Sequence, residues 1–176
     1  MTAKLVYEPY VCLVRADSSV KSMMDLTAAV KGASSKLVVA GFVRGSGSHV
    51  AWETYTHSTG LPDNGVNWVP YDSVGEGVTA ILGGHGAVTI AYVDLVEDYV
   101  VAGQLRVIGV MSDKRLHDLP DVPTLKEQDL NVASNWEQWR GVIGPKGRPD
   151  AMKRSSGDQV MLSNKGVPEW RNGASA

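Results

Sequence analysis

Leu37-Val38-Val39-Ala40-Gly41-Phe42-Val43-Arg44-Gly45-Ser46-Gly47-Ser48-His49-Val50-Ala51-Trp52-Glu53 reads as a buried strand, a turn of glycine and serine, and the opening of a helix. Such a turn sets small residues, hydroxyls and spare backbone N–H groups at the positive pole of the helix, which favours an anion. The same residues also serve a purely local purpose, in which Ser46 or Ser48 caps the helix and the glycines only admit the turn. Both readings stay open on this stretch alone.

Before it, residues 4–15 form an extended segment rich in Val, Leu and Tyr, stopped by Ala16-Asp17-Ser18-Ser19. Residues 20–33 carry Met23, Met24, Leu26, Thr27 and Val30 at helical spacing, with Ser18 or Ser19 near the start and Gly32 near the end. After it, the pattern predicts a helix over 48–59, a strand over 66–71, and a helix opened by Asp72-Ser73-Val74-Gly75-Glu76-Gly77 and closed by Gly83-Gly84. A strand over 87–93, a helix over 95–102 capped by Asp94, and a strand over 106–111 come next. Strands of this length alternating with helices predict an α/β fold whose parallel, doubly wound sheet contains 37–43, 66–71, 87–93 and 106–111. Ligands in such sheets bind beyond the carboxyl ends of the strands, here the turns at 45–49, 72–77 and 92–94. Further on, Thr124 is placed to cap a short helix behind Pro123, and 134–145 reads as a strand stopped by Pro145. Beyond Pro149 the pattern weakens into a tail, 151–176.

The chain has 176 residues, 43% of them hydrophobic and 20% charged, which is ordinary for a packed globular domain. Its net charge of −2 comes without a basic stripe, so neither nucleic acid nor an anionic membrane surface is an expected partner. Cys12 is the single cysteine, lies in an apolar run and excludes an internal disulfide. No apolar stretch suits a signal peptide or a membrane span, so the chain as written is not expected to be exported. His49, His57, His85 and His117 lack metal-site spacing, and Ser46 or Ser48 beside His49 lacks an identifiable carboxylate orienter. Neither a metal site nor catalysis is therefore expected. Trp52, Trp68, Trp136 and Trp139 read as core or hinge packing. Gly75-Glu76-Gly77-Val78-Thr79-Ala80, with Asp94 about twenty residues on, matches a dinucleotide-binding pattern and raises a nucleotide-binding oxidoreductase as an alternative. Tyr71-Asp72-Ser73-Val74 intervene, however, between the strand and the first glycine.

Several blocks act together. Val69-Pro70-Tyr71 with Gly75-Glu76-Gly77-Val78-Thr79-Ala80-Ile81-Leu82-Gly83-Gly84-His85, Val101-Ala102-Gly103-Gln104-Leu105-Arg106-Val107-Ile108-Gly109-Val110, Asp113-Lys114-Arg115, and Leu119-Pro120-Asp121-Val122-Pro123-Thr124-Leu125-Lys126-Glu127-Gln128 stand in that order. With Trp139-Arg140-Gly141-Val142 and Gly144-Pro145, they closely resemble the solute receptors of tripartite tricarboxylate transporters, also called the Bug family. The resemblance covers about residues 5–150. It implies one lobe of a type II periplasmic-binding-protein-like fold, with residues 1–140 as the lobe and its hinge strands and 141–176 as a C-terminal remnant. It also implies non-enzymatic binding of a small carboxylate or other anion, without a cofactor, and delivery to a membrane permease from the periplasm. The implied pocket is Gly45, Ser46, Gly47, Ser48 and His49, helped by Asp72 and Ser73 after Tyr71 and by Tyr92 and Asp94.

The departures carry expectations of their own. By the resemblance, the family's signal peptide and first lobe are expected to have no counterpart in the sequence as written, which would leave half of the usual cleft missing. Asp94 brings a carboxylate that would repel an anion if it faced the cleft, so a capping role competes with a ligand role. Trp139, Val142, Ile143, Val160, Met161, Leu162 and Trp170 lose the cover they have in the family, which predicts a homodimer. An oligomerisation or protein-interaction module is accordingly the alternative function from another class.

Overall fold

The computed structural model describes residues 3–32, 36–62, 65–130, 132 and 137–142. They divide into two compact units. One comprises residues 1–8 and 137–176, and its described part is the start of strand β1 (Ala3–Arg15) together with β6 (Glu137–Val142), which pairs with β1. The other comprises residues 9–136. It holds β2 (Leu37–Phe42), β3 (Val66–Tyr71), β4 (Val88–Tyr92) and β5 (Leu105–Val110), in the order β3-β2-β4-β1-β5.

The strand over 66–71 falls where the sequence places it, and the other three match within two residues at either end. β2 runs parallel to β3, with Val39 opposite Trp68, and parallel to β4, with Val39 opposite Val88. The sheet is nevertheless mixed. β1 runs antiparallel between β4 and β5, with Cys12 opposite Ile90 and Val14 opposite Arg106, so β5 shares the direction of the other three without touching β4. The apolar run of β1 explains its central place. Tyr10, Cys12 and Val14 pack on one side and Val11 and Leu13 on the other, and all five are buried, as a strand covered on both faces requires.

Helices cover both sides. α1 (Met23–Gly32) and α2 (Gly47–Ser58) bring Met23, Leu26, Val30, Ala51, Trp52 and Tyr55 to the Cys12 face. α3 (Val74–Leu82) and α4 (Val93–Val101) bring Val78, Ile81, Val93 and Val96 to the Leu13 face. This is the doubly wound arrangement expected. One close approach sets its spacing: a Cβ on Gly41 of β2 would fall within the ring of Trp68, whose Nε1 donates to Phe42 O at 3.1 Å.

Some boundaries differ from expectation. α1 starts at Met23 because Ser22, not Ser18 or Ser19, accepts a first-turn N–H, that of Asp25 at 3.0 Å; Ser18 Oγ accepts only from Val20 N in the preceding turn. α4 starts at Val93, two residues early. Its N-cap is Tyr92, which makes no side-chain capping bond, and Asp94 stands inside the first turn; the capping role assigned to Asp94 is therefore wrong. Thr124 behaves as expected, although the element it opens is only a 3-10 turn, Lys126–Gln128. Thr124 Oγ1 accepts from Glu127 N at 3.1 Å while Glu127 Oε2 accepts from Thr124 N at 2.9 Å, a reciprocal capping box. The tail 151–176, and with it Val160, Met161, Leu162 and Trp170 of the expected dimer face, lies outside the described residues, as do Ile143 and the side chains of Trp139 and Val142.

A candidate anion site at the carboxyl end of the sheet

Three adjacent parallel strands, in the order β3-β2-β4, each lead directly into a helix. The three helix N-termini therefore stand at one edge of the sheet, and each carries four backbone N–H groups without an intrahelical acceptor. Their neutralisation differs. In α3, Ser73 is the N-cap and accepts from Glu76 N at 3.1 Å, while Glu76 Oε2 accepts from Asp72 N at 3.3 Å. The chain thus supplies its own carboxylate to that pole, and Asp72 and Ser73 act there as exposed capping residues. In α4 the first-turn acid is Asp94. α2 has no acidic residue in its first turn. Its positive pole is the one left without an anion.

The turn into α2 is built from small parts. Gly45 takes φ +83°, a left-handed conformation costly for any residue with a Cβ, which is why a glycine stands there. Ser46 is the N-cap in extended conformation, and its Oγ accepts from His49 N at 3.3 Å. The hydroxyls of Ser46 and of buried Ser48 lie 3.1 Å apart. Gly47 and Ser48 begin the helix, so their N–H groups belong to the set that no helix satisfies internally. The local reading of the sequence is thus realised in the cap made by Ser46, and the helix itself offers the Gly47 and Ser48 N–H groups no acceptor.

His49 is turned back on the turn. Its Nδ1 accepts from Gly45 N at 3.3 Å, and its Nε2 lies 3.4 Å from Glu53 Oε1 without hydrogen-bond geometry. The ring meets Trp68 edge to face, with centroids 4.7 Å apart at 80°. Tyr10 closes the other side. Its hydroxyl occupies the space that a Cβ on Gly47 would need, and its ring packs against Tyr92, its cross-strand partner, at 5.2 Å. The structure therefore brings Gly45, Ser46, Gly47, Ser48 and His49 together and adds Tyr10, Trp68 and Glu53. Glu53 was readable as the i+4 neighbour of His49 on one helix. Tyr10 was not, because its place depends on β1 entering beside β4.

The rival dinucleotide reading fails on geometry. Gly75 and Gly77 sit within α3, not in a strand-to-helix turn, and Gly77 is there for packing: a Cβ on it would stand 3.1 Å from Ala40 O. No cluster of three metal-binding side chains occurs among the described residues.

Comparison with known proteins gives the family and the fold. Residues 1–172 match the tripartite tricarboxylate transporter family receptor. BugT of Bordetella pertussis is 30% identical over 141 residues, which is 79% of this chain and 41% of that protein. A TctC solute binding protein from Polaromonas, solved without ligand, is 28% identical with a TM-score of 0.72, covering 92% of this chain and 55% of its own. MatC from Rhodopseudomonas palustris, solved with bound malate, shares the fold at 20% identity with a TM-score of 0.78, over 92% of this chain and 54% of its own. This chain spans about half the length of the proteins it matches. On the family match over residues 1–172 and the shared lobe fold, the chain belongs to the tripartite tricarboxylate transporter receptor family.

Proposed function

We propose that this chain binds a small carboxylate at the Gly45–His49 turn, without chemical conversion, as part of a periplasmic receptor serving a tripartite transport permease. The observation that carries the reading is the bare pole of α2: it has serine hydroxyls, first-turn N–H donors and no acid of its own, while the helices that follow the two neighbouring strands each have one. The malate bound in MatC supports the same ligand class. Tyr10 and Tyr92 border the turn, while Asp72, Ser73 and Asp94 define the neighbouring poles rather than hold the anion.

A charge-assisted hydrogen bond contributes roughly 1.5–3 kcal/mol, so two or three such bonds give about millimolar affinity once the entropy of association is subtracted. Titration with succinate, citrate, glutamate and phosphate, followed by amide NMR, tests this. The amides of Gly45 to His49 should move with the dicarboxylates, and spectra in which none of them moves would sink the reading.

A further inference from the structure

His49 is engaged from three directions. Gly45 N–H donates to Nδ1 at 3.3 Å, Glu53 faces Nε2 at 3.4 Å, and the indole of Trp68 lies against the ring. Among the described residues, the charged group that faces it is Glu53 from α2 itself, and Arg44 from the turn donates to the carbonyl of the same Trp68 at 3.4 Å. From β3 it meets the neutral indole. The Tyr10 hydroxyl from β1 stands at Gly47, two residues away.

A ring nitrogen that accepts a hydrogen bond carries no proton, so neutral His49 keeps its hydrogen on Nε2, on the Glu53 side. Protonation would place a second N–H on Nδ1, pointing at the N–H of Gly45. That bond becomes a meeting of two donors, while the contact with Glu53 gains charge. Gly45 is exposed and has no side chain, and nothing beyond its chain neighbours lies within 4 Å of where a Cβ would stand.

We propose that His49 is a protonation-operated latch on the anion turn. Neutral, it withholds the Gly45 donor; charged, it releases that donor and adds a cation, so the site takes up a proton together with its anion. The coupling to ligand rests on the carboxylate reading of this turn. An imidazolium at the turn gives a bound carboxylate a charge-assisted partner that the neutral ring does not. By linkage, carboxylate affinity rises as pH falls, and the carboxylate raises the proton affinity of His49 by the same factor.

The test has two arms. In ligand-free protein, the ring nitrogens of His49 and the amide of Gly45 should titrate with one midpoint in NMR spectra. Fumarate, which stays ionised over this range, should bind about five- to tenfold more tightly near pH 6 than near pH 8, with proton uptake in calorimetry. His49→Asn, which leaves an acceptor oxygen near the Nδ1 position, should abolish both dependences. His57→Asn, which alters an exposed histidine near the far end of the same helix, should preserve them. A Gly45 amide that stays still while His49 titrates, or a pH dependence that survives His49→Asn, overturns the latch. Joint titration of Gly45 and His49 with no response to any carboxylate at either pH upholds the latch and defeats the carboxylate reading instead.

Discussion

Gly47 and Cys12 show two ways in which a single residue is dictated by what surrounds it. At Gly47 the constraint is space, because the Tyr10 hydroxyl fills the volume of the absent Cβ. Gly47→Ala should displace Tyr10 or the first turn of α2, costing about 1–3 kcal/mol as overpacking does, and should perturb the Tyr92 resonances in NMR spectra. A stability and a Tyr92 signal both unchanged would show that Tyr10 has room to retreat. At Cys12 the constraint is dielectric. Complete burial pushes the thiol up to about 12, so native protein should be inert to a thiol reagent near pH 8 and become reactive on unfolding. The raised value has a thermodynamic consequence with a fixed sign. The unfolded thiol ionises first, so the contribution of Cys12 to stability is whole below about pH 9 and is lost as pH rises toward about 12. Cys12→Ala should flatten that part of the denaturation-versus-pH curve.

At the scale of elements, the packing of α1 depends on side chains remote in sequence. Gln128 Oε1 accepts from Met23 N at 2.8 Å, and its Nε2 donates to Ile108 O at 3.0 Å, so one amide joins the start of α1 to β5. Gln128→Leu removes both bonds and leaves partly buried backbone groups unpaired, which should cost about 2–4 kcal/mol in urea denaturation. A loss below 0.5 kcal/mol or so would mean that water replaces the amide. Arg106 does similar work at the other end of the loop, donating to the carbonyls of Ala16 at 2.6 Å and Ser18 at 3.2 Å. None of this was legible from local pattern. Period, turn residues and caps located β2 to β5 and α1 to α4, because each of those signals acts over a few residues. The antiparallel insertion of β1, the reach of Gln128 and the approach of Tyr10 to Gly47 depend on partners about 35 to 105 positions away, which no periodicity encodes. Asp94 was misjudged for a smaller reason. An acid near a helix start favours the pole from either the cap or the first turn, and the backbone chose the first turn.

At the scale of the whole molecule, a binding site reports itself through stability. A ligand that binds only the folded chain stabilises it by RT ln(1 + [L]/Kd), so at about millimolar Kd roughly 10 mM dicarboxylate adds about 1.4 kcal/mol. For a chain of this length, that is a rise in Tm of roughly 3–6 °C. Two variants separate a site at the α2 turn from a general salt effect. Ser46→Ala removes the cap at a cost of about 0.5–2 kcal/mol and also takes a hydroxyl from the site, so it should lower Tm and shrink the ligand-induced rise. Ile81→Val thins the core between α3 and the sheet, on the face opposite α2, and should lower Tm by a comparable amount while keeping the full rise. Equal rises in the two variants, or an equal rise with sodium chloride at matched ionic strength, would mean that the dicarboxylate acts on the whole surface and that the bare pole of α2 is not where it binds.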